Sequence, residues 1–451
     1  MLEQTFAKLI RGHESLRTSF VIIGEEPVQR IHDEVEYKIE YKDLATDKHG
    51  QTRFFLNNFI HPFDLSKAPL MRMSLIEIEE DKYLLMVDIH HIISDGMSTQ
   101  VLVQDFSVLY SGKELPEIKL RYKDYAAWQN RERVNINILE QGEYWKKEYE
   151  GEIPVLELPT DYARPTVQAF EGNSIYFEIS NETSGALKAL SLEAEATLYM
   201  VLLALYAALL SKLSSREDIV IGSPVAGRRH VDLEKIIGMF VNTLAFRTYP
   251  SGEKGFMDFL GEVKDIALKG FENQEYQYED LVEQLSVNRD AGRNPLFDAM
   301  FVLQNTGSQQ IELPGLKFVP YEYENKTSKF DLTLNAVEAE GKLLLTFEYS
   351  TNLFKVETVE RFSAYFVNII RGVVENKWKR ISDFEIITEE EKQRVLFDFN
   401  ETRVDYPKDK TIQQLLEEQT SRTPDHIAIV GTTTVETLRA TSLHTTYRQL
   451  N

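Results

Sequence analysis

An apolar run that ends at two adjacent histidines constrains this chain more than any other stretch. Residues 83–89 are almost continuously apolar, which is typical of a strand buried on both faces. Residues 90–96 then read His-His-Ile-Ile-Ser-Asp-Gly, and apolar residues recur at helical spacing after them. Those apolar residues are Met97, Val101, Leu102, Phe106 and Leu109. The sequence therefore predicts a buried strand, a short polar turn and a helix.

The predicted turn contains residue types that can handle a proton. Adjacent strand residues point to opposite faces, so one of His90 and His91 can enter a cavity while the other braces the scaffold. A neutral imidazole exchanges protons near pH 7, which suits general-base or positioning chemistry. Asp95 can cap the free amides of the helix, and Gly96 lets a backbone or a substrate approach. We take these four residues as the candidate catalytic group.

Three other interpretations of the histidines stay open. A single histidine near the end of a strand is most often structural. A metal site needs a further ligand at a familiar spacing, and the sequence offers none and has no cysteine, so no metal is predicted. The third alternative is a different acyl-transfer chemistry built on His91 and Asp95.

The length and the charge of the chain limit which class of protein it can be and which partners it can have. The 451 residues are 43% hydrophobic, which is enough for two or three globular units, and no long apolar run suggests a membrane span. A formal net charge of -22 disfavours nucleic acid, whose binding needs clustered lysine and arginine. The absence of cysteine fits a reducing compartment. We expect a soluble, cytoplasmic protein with no nucleic-acid or membrane partner.

The pattern His-His-x-x-x-Asp-Gly at residues 90–96 resembles the signature of condensation domains of nonribosomal peptide synthetases. Related acyltransferases of the chloramphenicol acetyltransferase-like superfamily share it. Other motifs of the condensation domains follow in the family's order at residues 13–20, 121–128, 222–228, 237–243 and 289–302, with a looser match at 273–279. On this resemblance the chain is identified as a member of that family.

Two features near the N-terminus depart from the family pattern. Gly12 stands where the first of these motifs begins with arginine, and Arg11 is displaced by one position. The family's earlier Ser-x-Ala-Gln motif, with its strand and helix, is not present, so we expect Met1 to be a truncated start. An unpaired strand edge would then make residues 1–451 alone poorly soluble and inactive. The alternative to an active domain is a non-catalytic remnant that keeps only docking surfaces.

The motifs and prolines predict the domain organisation. We expect an N-terminal lobe at residues 1–150, a proline-containing connector at 151–166 and a C-terminal lobe at 167–387. A linker at 388–410 leads to residues 411–451, which resemble the N-terminal fragment of an adenylation domain. Neither an adenylation catalytic loop nor a carrier-protein motif is found in the sequence.

The resemblance implies an α/β fold with mixed sheets, in which two chloramphenicol acetyltransferase-like lobes form a V-shaped pseudo-dimer around a tunnel. It implies that upstream and downstream peptidyl carrier domains deliver the substrates on phosphopantetheine arms, beside the adenylation domain of the same module. A carrier-bound aminoacyl amine then attacks a carrier-bound acyl or peptidyl thioester, and an amide forms. No cofactor bound by the condensation domain itself is implied.

The resemblance also assigns roles to single residues. His91, the second histidine, is the one that the family carries as catalytic, and it either takes the proton of the attacking ammonium or holds the amine in line. Asp95 is expected to brace the turn through a salt bridge. The candidate counter-ions for Asp95 are Arg17, Arg247 and Arg293.

Several further residues are expected to line the tunnel or to support it. Arg17, Asn242 and Arg293 form this group. Asn242 is an amide among apolar neighbours, and it either lines the cleft or bridges two backbones. Tyr125 and Trp128 lie on a predicted helix and are expected to pack on the core.

Overall fold

The computed structural model divides the chain into two compact units, Met1–Thr388 and Glu389–Asn451. The residues that the structure describes are 1–43, 58–132, 135–285, 290–304, 312–313, 315–319, 321, 326–433 and 441–450.

The first part of the larger unit is built on a three-stranded sheet. Its helices and strands are α1 (Leu2–Gly12), β1 (Thr18–Ile23), β2 (Glu26–Ile31), β3 (Ile39–Asp43), β4 (Met71–Glu79), β5 (Lys82–Ile89), α2 (Gly96–Tyr110), α3 (Tyr122–Glu132) and α4 (Ile136–Glu148). Strand β4 lies at the centre of the sheet, parallel to β3 and antiparallel to β5. Strands β1 and β2 form a separate antiparallel pair.

Helix α2 covers this sheet because its apolar residues follow the helical period. Val101, Leu102, Phe106 and Leu109 are all buried in one core cluster. Phe106 meets Phe6 of α1 with the two ring centroids 5.0 Å apart. The helix predicted after the turn is therefore present, and its buried face fixes the end of β5 against the core.

The second part of the larger unit is built on a six-stranded mixed sheet. Its main elements are β6 (Gly172–Ile179), α5 (Asn181–Glu193), α6 (Leu198–Ser214), β7 (Ile219–Val225), β8 (Asn242–Thr248), α7 (Phe256–Glu272), α8 (Tyr278–Gln284), β9 (Ala299–Gln304), β10 (Glu312–Leu313), β11 (Leu316–Lys317), β12 (Leu332–Ala339), β13 (Lys342–Ser350) and α9 (Val356–Glu375). The strand order is β6-β13-β12-β9-β7-β8. Strand β9 runs parallel to both β12 and β7, and the other neighbours are antiparallel.

Helix α6 forms the centre of the larger hydrophobic core. Its residues 200–211 are all buried, because the helix is apolar on nearly every face. Residues 198–213 are apolar almost throughout, which predicts a buried helix, and the residues on either side of Glu340 and Gly341 predict the β12–β13 hairpin. Both elements are found in the structure.

Strand β5 is less buried than its composition predicted. Tyr83 is 48% exposed and Val87 is 38% exposed, so the expectation of burial on both faces is wrong. The reason is the position of β5 at the edge of its sheet, since β4 is its only neighbour among the described strands. Leu84 and Met86 are buried, in a small cluster with Ile76 that is separate from the core under α2, and Leu85 and Ile89 pack on that core.

The alternation at residues 35–41 and the apolar run from Leu296 to Leu303 each predict a strand, and both strands begin later than predicted. The strand expected at residues 35–41 starts only at Ile39. The strand expected from Leu296 starts at Ala299, because Leu296 itself adopts a left-handed conformation with φ of 67° directly after a proline. A left-handed residue cannot continue a strand, so the chain turns there first.

The smaller unit contains α10 (Glu389–Leu396), α11 (Ile412–Arg422), β14 (Ile427–Thr433), β15 (Thr441–Thr446) and α12 (Tyr447–Leu450). Strands β14 and β15 pair antiparallel. The side chain of Thr411 caps α11 by accepting a hydrogen bond from the amide of Gln414. The proposed linker and adenylation fragment in this region stay predictions.

No single helix among the described residues has both the length and the apolar character needed to cross a bilayer. Helices α5 and α6 satisfy that test only when they are taken together, as a pair bent by 106°.

Candidate active site

The two histidines occupy different environments at the end of β5. The ring of His90 is half-buried, and its Nδ1 accepts a hydrogen bond of 3.0 Å from the amide of Ile92. This bond closes the short turn that carries His91. The His91 side chain is exposed, and its ring makes no hydrogen bond or ion pair with any residue that the structure describes. One histidine thus braces the turn and the ring of the other is exposed. Both follow the last residue of β5, so the difference arises in the turn and not from alternation along a strand.

Asp95 is the buried anchor of the turn. Its Oδ1 accepts hydrogen bonds of 2.8 Å from both the amide and the hydroxyl of Ser98, which caps helix α2. Its Oδ2 accepts a hydrogen bond of 3.1 Å from the amide of Phe240. The carboxylate therefore holds together a helix start and a distant loop, and the expectation that Asp95 braces the turn agrees with this geometry.

The counter-ion of Asp95 is Arg228. Its Nη1 lies 2.6 Å from Asp95 Oδ2, and the two side chains are 1% and 0% exposed. The guanidinium also donates to the carbonyl oxygens of Leu233 and Ile236, and its Cζ lies 4.1 Å from the ring centroid of Phe240. Every nitrogen of the buried arginine is thereby satisfied, as a buried charge requires.

The three arginines proposed as counter-ions of Asp95 are engaged elsewhere, so that prediction is wrong. Arg17 donates to the carbonyl of His32, and Arg247 holds Asp218 at 2.7 Å. Arg228 was missed because 133 residues separate it from Asp95 in the sequence. Its only signal was its place as the last residue of the motif at 222–228.

Gly96 is the first residue of α2 and faces open space. A side-chain Cβ built on it would meet no described atom within 4 Å. The described protein therefore does not itself require glycine at this position. The backbone at Gly96 is therefore open to close approach by another group.

Asn242 bridges backbones, which was one of its two predicted roles. Its Nδ2 donates to the carbonyl oxygens of Gln274 and Tyr276 at 2.9 and 2.7 Å, and its Oδ1 accepts from the amide of Tyr278 at 3.1 Å. The amide is only 5% exposed and has all these partners, so it avoids the desolvation cost of an unpaired buried group. Asn242 also lies in the wall of a cavity of about 240 Å³.

Helix α3 forms another wall of that cavity. Tyr125 packs on Phe240 with the ring centroids 4.6 Å apart, which agrees with the predicted packing role. Trp128 is 45% exposed, so the expectation that it packs on the core is wrong. No residue of α3 is fully buried, because the helix covers the cavity instead of the core.

Tyr122 fixes α3 against the loop that carries Phe240. Its hydroxyl donates to the carbonyl of Met239 at 2.7 Å. Burial raises the pKa of the Tyr122 hydroxyl to about 12, with smaller contributions from the nearby Tyr125 and Asp95. The phenol stays neutral near pH 7 and acts as a hydrogen-bond donor.

Arg293 supports the connector and does not contact the histidine turn. It lies 2.7 Å from Asp298 and 3.0 Å from Glu157, and it donates to the carbonyl of Leu156 at 3.1 Å. Residues 156 and 157 belong to the predicted connector between the lobes. Arg293 therefore pairs with Glu157 and Asp298 instead of Asp95, and its role is structural support.

A second ion pair fixes the same connector. Arg164 forms a double hydrogen bond with Asp331 at the start of β12. Asp298 and Asp331 are 4% and 5% exposed and lie close enough to repel each other. Burial, followed by the charge of Asp331, raises the pKa of the Asp298 carboxyl to about 6, although Arg293 and Arg164 oppose this.

This raised pKa predicts how stability depends on pH. When the pH falls from about 7 to about 5, folded Asp298 takes up a proton that the unfolded chain does not yet bind, because an unperturbed carboxyl titrates near pH 4. We expect the free energy of unfolding to rise by ~1 kcal/mol over this range relative to Asp298→Asn. Urea unfolding of both proteins at both pH values measures the difference. An identical pH dependence in the two proteins would contradict the assignment.

Comparison with known proteins agrees with this geometry. Residues 1–396 match the model of the condensation domain family. Gramicidin S synthase 2 of Brevibacillus brevis is 46% identical over 431 residues, which are 95% of this chain and 10% of that synthase. The X-domain from teicoplanin biosynthesis has a similar structure, with a TM-score of 0.79 and 23% identity over 86% of this chain and 89% of that one. A four-domain nonribosomal peptide synthetase bound to AMP and glycine also has a TM-score of 0.79 and 23% identity, over 99% and 34% of the two chains.

The chain belongs to the condensation domain family. The predicted family and the chloramphenicol acetyltransferase-like fold with mixed sheets are thereby confirmed. The chain spans about a tenth of the length of the gramicidin synthase that it matches.

Proposed function

We propose that residues Met1–Thr388 catalyse amide-bond formation between two carrier-bound substrates. The observation that carries this proposal is the exposed ring of His91, which has no described partner, on a turn that the buried pair Asp95 and Arg228 holds in place. A group that must handle a substrate proton has to be accessible and well oriented. The family membership of the chain supports the same reaction.

The reaction begins with attack of the free acceptor amine on the thioester carbonyl of the donor. The carbon–nitrogen bond forms, the carbon–sulfur bond breaks, and the donor arm leaves as a thiolate. The proton lost by the attacking nitrogen balances the thiolate and yields a free thiol. Net products are one amide on the acceptor arm and one thiol on the donor arm.

His91 has two roles that fit its position. As a general base it takes the proton that the amine nitrogen loses as it attacks the thioester carbonyl, which is typically worth about 100- to 10,000-fold in rate. As a positioning group it accepts a hydrogen bond from the amine and aligns the amine with the carbonyl. Alignment alone can lower the activation free energy by several kcal/mol. The chain contains no cysteine that could carry an acyl group, so direct transfer is favoured over a thioester-linked enzyme intermediate.

The partners in this proposal are an upstream and a downstream peptidyl carrier domain and the adenylation domain of the same module. Phosphopantetheine arms on the carriers bring the substrates, and the condensation domain itself binds no cofactor. The reaction belongs in the cytoplasm, where these enzymes meet activated amino acids. The pairing of donor and acceptor arms explains why His91 lies at an open surface beside Gly96.

A reconstituted transfer tests the proposal. The chain is mixed with a donor carrier loaded with an acyl amino acid and an acceptor carrier loaded with glycine, and carrier-bound dipeptide is measured by mass spectrometry. We expect one free donor thiol for each dipeptide formed. An acceptor with an acetylated amine is the control and should give neither product. Thiol release without dipeptide would show hydrolysis. No product at all is the result expected of the truncated, non-catalytic remnant that was the alternative in the sequence analysis, so both results contradict the proposal.

A further inference from the structure

The cavity beside helix α3 has an aromatic wall. Tyr125, Trp128 and Phe240 line a volume of about 240 Å³. The rings form a continuous series, with 4.6 Å between the centroids of Tyr125 and Phe240 and 5.8 Å between those of Tyr125 and Trp128. The large exposed fraction of Trp128 leaves part of this wall open to a ligand.

The lining of the cavity also contains acidic residues. Glu132, Glu275 and Asp280 line it, and Arg229 is the only arginine or lysine among the described residues that do so. Arg229 lies 3.3 Å from Glu275 and offsets that carboxylate. Glu132 accepts a hydrogen bond from the neutral amide of Asn135, which leaves its charge in place. The lining therefore carries a net negative charge next to aromatic rings.

The loop that carries Glu275 is held by two side-chain amides. Asn242 bonds to the backbone at residues 274, 276 and 278, as described above. Gln141, which is 9% exposed, accepts hydrogen bonds from the amides of Glu275 and Tyr276 at 3.0 and 3.3 Å. Two buried amide side chains thus fix one loop, so a ligand would not have to order it on binding.

We propose that this cavity binds the cationic side chain of an aminoacyl substrate, an ammonium or a guanidinium on an alkyl stem. A cation is attracted both to the faces of aromatic rings and to carboxylates. Pockets for whole drug-sized ligands usually measure about 300–1,000 Å³, so this smaller cavity suits a single side chain. The inference rests on the proposed function and names a substrate class for it.

Phe240 links the cavity to the catalytic turn. Its ring lines the cavity and contacts the guanidinium of Arg228, while its amide donates to Asp95. A side chain that binds here lies against the loop that holds the turn of His91. The position is suited to selecting a substrate while its backbone reacts nearby.

Direct binding of small probes tests the proposal without any carrier domain. The probes are Nα-acetyl-lysine methylamide and Nα-acetyl-norleucine methylamide, which share the alkyl chain and differ by the ammonium. Calorimetry gives Kd, and the fluorescence change of Trp128 reports the location. We expect the lysine probe to bind about tenfold more tightly than the norleucine probe.

Variants distinguish binding in this cavity from a general effect of the protein's negative charge. Glu132→Gln and Asp280→Asn should each weaken lysine binding, and together they should remove the preference over norleucine. Trp128→Leu should weaken lysine binding through loss of the aromatic face. The matched control is Glu279→Gln, since Glu279 precedes Asp280 on the same helix, is exposed and does not line the cavity.

The binding of the probes can be measured whether or not the chain catalyses the transfer reaction. The lysine probe should still bind to His91→Ala, because His91 does not line the cavity. Equal binding of the two probes, no saturable binding, or an equal loss in Glu279→Gln would overturn this proposal even if glycine is condensed normally. Normal lysine binding together with no dipeptide from any substrate would overturn the proposed function and leave the cavity assignment standing.

Discussion

Replacing His91 by alanine is expected to lower the rate of dipeptide formation about 100- to 10,000-fold, the usual range for loss of a general base. Alanine removes the exposed imidazole and leaves the hydrogen bond between His90 and Ile92 in place. The fold and the loading of both carriers should therefore not change. Mass spectrometry of the carrier-bound dipeptide measures the rate. Exposed His426 in the smaller unit offers a control, and His426→Ala should have no effect.

A second variant distinguishes the two roles of His91. In His91→Asn the side chain can still hold an amine by a hydrogen bond but cannot take up its proton near neutral pH. If His91 only positions the amine, this variant keeps much of the rate and its pH profile follows that of the wild type. If His91 is the base, the variant matches alanine, because a side-chain amide cannot accept the proton of the amine. Undiminished dipeptide in both variants would remove His91 from the reaction.

The sequence predicted the elements around the turn because their signals are local. The apolar period of α2 and the cap at Asp95 each depend on residues a few positions apart, and the structure contains both. The same holds for the β12–β13 hairpin, whose two strands are joined by a turn that contains glycine. The different environments of His90 and His91 arise in the short turn after β5 and not from alternation along the strand.

The errors arose where a contact depends on how distant segments pack. Asp95 meets Arg228 only because the loop after β7 folds against the start of α2, and no spacing in the sequence encodes that approach. Trp128 was assigned to the core because an aromatic residue on a helix usually is buried there. The cavity that exposes it is made by a loop near residue 275, which lies far along the chain.

Strand β5 shows a different limit of sequence reasoning. An apolar run indicates that side chains prefer burial, but it does not show how many strands lie beside it. In the described sheet β5 has a neighbour on one side, and Tyr83 and Val87 stay partly exposed. Composition therefore predicted the strand correctly and its degree of burial wrongly.

The pair of Asp95 and Arg228 predicts a large loss of stability when one partner is changed. In Asp95→Asn the amide oxygen can still cap α2, but the fully buried guanidinium loses its counter-charge. Breaking a buried ion pair from one side costs about 3–5 kcal/mol. We expect a loss of that size in the free energy of unfolding, measured by urea denaturation, together with a lower rate of condensation. Glu79→Gln, which breaks the exposed pair with Lys82, should cost less than about 1 kcal/mol.

A double variant shows whether the cost comes from the unpaired charge. Arg228→Met keeps an apolar stem against Phe240 and removes the buried cation. Combined with Asp95→Asn it should recover a large part of the stability, because no charge is then left unpaired in the interior. Losses that simply add would instead show that the two residues act independently. An unchanged stability in Asp95→Asn with lost activity would assign the carboxylate to the reaction, since only the chemistry would then need its charge.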